Sequence, residues 1–202
     1  MTIDVSQTGI VDVYQALVSV VVPRPIAWVT TVDREGRVNL APFSFFNVFG
    51  ANPPVVVFSP TLRRDGSKKD TLHNVQTTGE FVVNSAVEGL AREVNLSAKE
   101  LPPDESEIDL TGLTTLPALK VRPPRLAATP VHLECRVRHI FPIGDGAIAA
   151  NLVIGEIVMI HVSDDVLDDH GQVDPRKLKA IARLGGNYYC RSTDLFEMQR
   201  PT

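Results

Sequence analysis

The sequence predicts a mainly β protein, built as a barrel with a few short helices. Three observations carry this reading. Short runs rich in β-branched and aromatic residues recur along the chain, as in Pro25–Val32 and Val55–Phe58. Turn signals separate them, as at Asp33-Arg34-Glu35-Gly36. Helical spacing is confined to two short stretches, and many strands with few helices favour a barrel over a doubly wound sheet.

The elements follow in chain order. Pro25 to Val32, the turn at Asp33–Gly36 and the extended Arg37–Leu40 read as a hairpin. Pro53-Pro54 blocks any helix and opens a buried strand at Val55–Phe58. Asp70 can cap a short helix running through Thr71, Leu72 and Val75 to Gly79. Phe81–Asn84 is a further strand. Ser85-Ala86-Val87-Glu88 has the form of a capping box, with Ala86, Leu90, Ala91 and Val94 following at helical spacing. Lys99 to Leu116, with two prolines and several acids, reads as a surface loop between two halves. Val131, Leu133, Cys135, Val137 and Phe141 share one parity, and His132, Glu134, Arg136 and Arg138 the other. This predicts a strand with one wet face and an inward, inert Cys135 thiol. Leu152–Val162 is apolar on both parities, as expected of a strand covered on both faces or buried in an interface.

Size and charge exclude several classes. At 202 residues, with no repeat and no linker, residues 1–202 read as a single domain. A chain of this size buries roughly 70% of its unfolded surface and needs no disulfide staple. Cys135 and Cys190 stand far apart and form neither a disulfide framework nor a zinc site. The formal charge of −4 counts against nucleic acid as a partner. Met1-Thr2-Ile3-Asp4 opens no signal peptide. The most apolar stretch, Ala147 to Val162, holds Asn151 and Glu156 and is shorter than the roughly 20 residues of a spanning helix. A cytoplasmic protein without membrane association is expected.

No side-chain catalyst is advertised. The sequence has no GxGxxG after a strand, no phosphate-binding Walker loop, no HExxH and no GxSxG. His73, His132, His139, His161 and His170 show no metal-ligand spacing, so neither a metal site nor a catalytic constellation is expected. Either the protein is not an enzyme or a cofactor carries the chemistry. Three segments could hold such a group. The stretch Phe58–Thr71 carries four cations and several hydroxyls and runs into a helix start, whose free N–H groups attract phosphate. A solvated basic loop is the plainer reading. The stretch Asn39–Asn47 crowds three phenylalanines beside an irregular backbone suited to the edge of a planar ring, or to plain core packing. Arg183-Leu184-Gly185-Gly186-Asn187-Tyr188-Tyr189 combines a fixed cation, two glycines that allow close approach or a sharp turn, and aromatic surface.

Taken together, these segments resemble the flavin reductase-like family of FMN-binding split β-barrels, the group that includes flavoredoxin. The resemblance runs from Pro23-Arg24-Pro25-Ile26-Ala27-Trp28-Val29-Thr30-Thr31 through Asn39–Ser44, Asn52-Pro53-Pro54 and Lys69-Asp70-Thr71 with Asn74. It continues through Gly79–Asn84, Leu133-Glu134-Cys135, Gly155-Glu156-Ile157 and Arg183–Gly186. It implies a six-stranded antiparallel split barrel of Greek-key type, forming a homodimer with FMN near the subunit interface. Ser59, Lys69 and Thr71 are then implied as phosphate contacts. Thr30 and Ser44, Phe45, Phe46 and Asn47 are implied as ring and ribityl contacts, and Arg183 and Tyr188 as contacts from later in the chain. The implied activity is an NAD(P)H-dependent flavin reductase with a small redox substrate or a partner monooxygenase as acceptor. The alternatives are a non-catalytic flavoredoxin-like electron carrier and a scaffold that has lost its flavin. Where members often carry an acidic-aromatic pair, this chain reads Glu107-Ile108-Asp109-Leu110-Thr111-Gly112-Leu113, which leaves the substrate open.

Overall fold

The structure, a computed structural model, describes residues 1–102 and 105–201. Helix α1 (Ile10–Val20) leads into the short β1 (Arg24–Pro25). Strands β2 (Ala27–Val32), β3 (Val38–Phe43), β4 (Phe46–Ala51) and β5 (Pro54–Phe58) follow. Helix α2 (Asp70–Thr78) precedes β6 (Glu80–Ser85), and α3 (Ala91–Leu96) and α4 (Glu107–Thr111) precede the small pair β7 (Thr115–Leu116) and β8 (Arg125–Leu126). A long hairpin, β9 (Val131–Ile143) and β10 (Ala150–Val162), is followed by α5 (Pro175–Leu178), β11 (Ile181–Arg183) and β12 (Tyr189–Arg191).

Seven strands form one antiparallel sheet in the order β3-β2-β6-β9-β10-β5-β4. Its two edge strands, β3 and β4, are joined by Ser44 and Phe45 alone. Three peptide steps cover at most about 11 Å, so the edges must meet and the sheet curls shut. β3 and β4 thus act as one bent strand, and six strand segments circle the barrel. This is the mainly β split barrel that the sequence resembles. A second sheet, β1-β11-β12, lies outside it with Arg24 opposite Arg183.

β2 is buried along its whole length and divides two cores. Ala27 and Val29 face the barrel interior with Phe43, Phe58 and Phe81, which Leu72 and Val75 of α2 close at one end. Trp28 faces the outer layer with Leu40, Val94, Leu126 and Ile181. Its indole N–H donates to the Ser97 hydroxyl at 2.8 Å.

The hairpin of β2 and β3 forms as expected, with Gly36 at φ +88° in its turn. Gly79 ends α2 in the left-handed conformation, also as expected. Four expectations need correction. The capping box at Ser85 does not form. Ser85 pairs with Ala27, Val87 bridges to Ala180, and the Ser85 hydroxyl accepts from Val131 N–H, so tertiary strand pairing claims these residues and the α-helix starts at Ala91. Asp70 is the first residue of α2 and not its cap; its carboxylate takes Arg63 instead. The expected loop from Lys99 to Leu116 contains helix α4, capped by the Ser106 hydroxyl and ended by Gly112, with residues 103 and 104 outside the described residues. The expected wet face of β9 is dry in its first half, where His132 and Glu134 are buried. The segment from Leu119 to Thr129 covers them. Glu134 accepts from the N–H groups of Leu119 and Lys120, and the His132 ring meets Leu126 O and Thr129 Oγ1. Cys135 is buried as expected, and burial pushes its thiol well above the ordinary range. On β10, Asn151 and Val153 are buried, the alternate Leu152 and Ile154 are half-buried, and Ile160 is exposed in the protomer.

Two predictions follow from this packing. A Cβ at Gly155 would lie 2.3 Å from Phe81 Cζ. Gly155→Ala should therefore lower stability by about 1–3 kcal/mol through overpacking, measurable as a reduced urea midpoint. His132 is held below its ordinary 6.5 chiefly by burial, against the raising effect of the Leu126 carbonyl. The unfolded chain takes up that proton first, so stability should fall as pH drops below about 6.5. Urea midpoints measured from neutral to mildly acidic pH should show this slope, and His132→Gln should flatten it.

Candidate functional site

The β5–α2 loop is shaped by one side chain. Arg63 N–H donates to Ser67 O, and Gly66 N–H donates back to Arg63 O, forming a tight turn. The Arg63 guanidinium then donates to Lys68 O and to the Asp70 carboxylate, the latter at 2.8 Å. Arg63 is thus a structural staple, and the Asp70 charge is neutralised beside the start of α2. Lys68 donates to Gln76 Oε1 at 2.7 Å, and Arg64 is exposed. Lys69 is different. It is half-buried, and among the described residues its ammonium makes no hydrogen bond or ion pair. Burial lowers its pKa, with the Glu100 carboxylate pulling the other way.

Lys69 is also the residue before α2, and no side chain caps that helix. The first-turn N–H groups are therefore free to meet an anion, with the helix dipole behind them. At the other end of the loop, Ser59 is 8% exposed and its hydroxyl has no partner among the described residues. A buried hydroxyl without a partner is costly, and a ligand oxygen would satisfy it. Thr71 is buried in the first turn, where its hydroxyl accepts from Asn39 Nδ2 at 2.8 Å and keeps its proton to donate. Asn39 and Asn74 both also donate to Thr31, so a polar network holds α2 against β2 and β3.

Ser59 N–H donates to Phe45 O at 2.9 Å, which brings the β3–β4 corner to the start of the same loop. Ser44 is half-buried there and Phe45 is exposed, in edge contact with Tyr14 of α1. Phe46 turns inward onto the barrel core, while Asn47 is exposed on β4 and accepts from Val48 N–H. The third segment lies at the β11–β12 turn. Arg183 donates to Gly186 O and stacks 4.5 Å from the Tyr189 ring centroid, and Tyr188 is exposed. β1, the partner of β11, lies against β4 and so links this turn to the corner.

Ser44, Phe45 and Ser59 are thus assembled at one corner, and Lys69 and Thr71 at the far end of the loop that leaves it. Thr30 is not brought to them. It is fully buried on the outer face of β2, donating to Pro124 O at 2.6 Å and accepting from Asn84. Its neighbour Thr31 is the residue that faces α2. The sequence reading missed the roles of Arg63 and of Arg24, a buried arginine between two prolines. A basic loop signals charge but not which cation is spent internally.

A cleft of about 730 Å³ lies on the other side of the first turn of α2. Six carboxylates line it, including Asp33, Asp70 and Glu107, against Arg34 and Arg37, so it does not suit a phosphate. Glu107 hangs over β3, accepting from Leu40 N–H at 3.1 Å, and burial raises its pKa. The Ser59–Thr71 side, with Lys69 and the open helix start, is the candidate surface for an anion. Replacing Lys69 by alanine should weaken binding of a phosphate-bearing ligand roughly tenfold to a hundredfold, the worth of one charge-assisted bond, as read by equilibrium titration.

Comparison with known proteins gives consistent results. The sequence model of the flavin reductase like domain family matches residues 19–181. An uncharacterized protein of Halalkalibacterium halodurans is 44% identical over 191 residues, covering 94% of this chain and 91% of that one. The crystal structure of nitrilotriacetate monooxygenase component B from Bacillus cereus superposes with a TM-score of 0.91 at 35% identity, covering 98% of each chain. The 2-nitrobenzoate 2-nitroreductase of Pseudomonas fluorescens gives 0.88 at 32% identity, covering 100% of this chain and 97% of that one.

Proposed function

The chain belongs to the flavin reductase-like domain family, and from that premise we propose that it is an FMN-dependent oxidoreductase using NAD(P)H as electron donor. The observation that carries the cofactor is the β5–α2 loop. It offers, among the described residues, a buried hydroxyl without a partner at Ser59, an ammonium without a hydrogen bond or ion pair at Lys69 and an uncapped helix start. That is a donor set made for a phosphate dianion and for little else. Ser59, Lys69 and Thr71 would hold the phosphate, Ser44 and Phe45 would border the ring, and Arg183 and Tyr188 would approach from the β11–β12 turn.

Bound flavin would supply the redox chemistry, accepting a hydride from the nicotinamide and giving the electrons on. The side chains then have only to bind, orient and shield, which accords with a site where Arg63 and Asp70 are spent on each other and no acid–base pair is assembled among the described residues. The electrons would go to a small acceptor or to a partner monooxygenase. The likeness to a monooxygenase component at 35% identity supports the partner. A homodimer is supported by apolar surface left open in the protomer, including Val20 of α1, Val48 and Phe49 of β4 and Ile160 of β10. Among the described residues no helix is long and apolar enough to cross a membrane.

The test is spectroscopic. Purified protein incubated with FMN should retain it through gel filtration, and NADH or NADPH should bleach the bound flavin without oxygen. Retained flavin that only a protein donor reduces would make the protein an electron carrier. Protein that takes up no FMN would remove the proposal.

A further inference from the structure

Arg24 is only 6% exposed, yet it forms no ion pair among the described residues. Its guanidinium is given to backbone carbonyls. Nη1 donates to Val18 O and to Val21 O, each at 2.6 Å, and Nη2 donates to Leu184 O at 3.0 Å. The first two acceptors lie at the C-terminal end of α1, where carbonyls lack helical partners and a cation is favoured. The third belongs to the turn between β11 and β12. One side chain therefore ties α1 to that turn.

Gly185 makes the same join from the other side. A Cβ there would lie 2.7 Å from Ser19 Oγ and 3.1 Å from Ser19 Cα, so the glycine admits the last turn of α1 against the β11–β12 backbone. The space it leaves is taken by a helix. Further along α1, Tyr14 meets Phe45 at 6.2 Å between ring centroids. Helix α1 thus bridges the turn carrying Arg183 and Tyr188 to the Ser44–Phe45 corner. It has little else to hold it. Val18 is its one buried residue, and an isolated helix of 11 residues is marginal in water.

We propose that Arg24 is a positioning residue, locking α1 and the Leu184–Gly186 turn into one clasp that sets the wall of the flavin site. The inference rests on the FMN reading above. Loosening the clasp frees Arg183, Tyr188 and Phe45 together, so affinity should fall although Arg24 touches no ligand.

Gly185→Ala forces Ser19 away and opens the clasp without altering a charge. Ser19→Gly removes two of the three nearest atoms, so the double variant should close it again. Arg24→Lys keeps the charge but loses the fork that reaches both segments. FMN dissociation constants, the visible circular dichroism of bound flavin and protease cleavage within α1 are read for each, with dimer content and thermal midpoint as controls. Gly185→Ala and Arg24→Lys should weaken FMN about tenfold, change the flavin dichroism and expose α1 to protease. The Ser19→Gly/Gly185→Ala pair should recover most of each. Wild-type affinity in Gly185→Ala with α1 cleaved would overturn the clasp as a determinant of the site, and so would an uncleaved α1. Wild-type protein that binds no FMN would instead sink the functional reading, and this inference with it.

Discussion

The two-residue join between β3 and β4 is the constraint on which the rest depends. These strands are the outer edges of the sheet, and Ser44 and Phe45 alone connect them. A link so short leaves a seven-stranded antiparallel sheet no option but to close on itself. Closure removes two exposed edges that would otherwise pair with other chains. It also turns the backbone sharply at the join, and the Phe45 carbonyl takes the Ser59 N–H where β5 ends. The corner that shuts the barrel therefore sits where the β5–α2 loop departs, which places Ser44 and Phe45 beside Ser59 without any dedicated domain.

β2 sets the second layer of this logic. Both its faces are buried, so each parity serves a different core, and its polar residues must find partners on both sides. Thr31 receives Asn39 and Asn74, and this ties α2 to the barrel end. Thr30 gives its proton to Pro124 O and ties down the segment that leads to β8. Adjacent threonines thus do unlike work, because the pleat sends them to opposite sides.

That alternation explains much of what the sequence could and could not reveal. The β2–β3 hairpin, the end of α2 at Gly79 and the inward Cys135 were legible because local turn chemistry and period-two patterning agree with the tertiary structure. The segment Ser85–Glu88 was misleading because Val87 pairs with Ala180, nearly a hundred residues on, and no local pattern reports such a partner. His132 and Glu134 looked like a wet face because polarity usually marks solvent. Here it marks a covering segment, whose N–H groups Glu134 receives. Burial pushes the Glu134 carboxyl up, but the donors from Leu119, His161 and Lys120 outweigh this and hold it below the usual range. Of the candidate site, the basic run leading into a helix start was legible. Which of its cations are spent internally was not, since that follows from where Arg63 folds.

The sorting of charge around the start of α2 is what makes the loop usable. Lys68-Lys69-Asp70 places opposite charges side by side in sequence, and in a disordered loop they would cancel. Arg63 prevents this by drawing the Asp70 carboxylate toward itself, onto the side where Asp33 and Glu107 also line a cleft. Lys68 is drawn off to Gln76. What remains on the opposite side is Lys69, partly stripped of water, with the open end of the helix and the Ser59 hydroxyl. Partial burial weakens the hydration that competes with a ligand for that ammonium, so a phosphate there would meet a charge already partly desolvated. An exposed lysine would hold the same formal charge and bind far less well. Any preference of the loop for an anion would thus come from how the fold spends Arg63 and Lys68, more than from how many cations it carries.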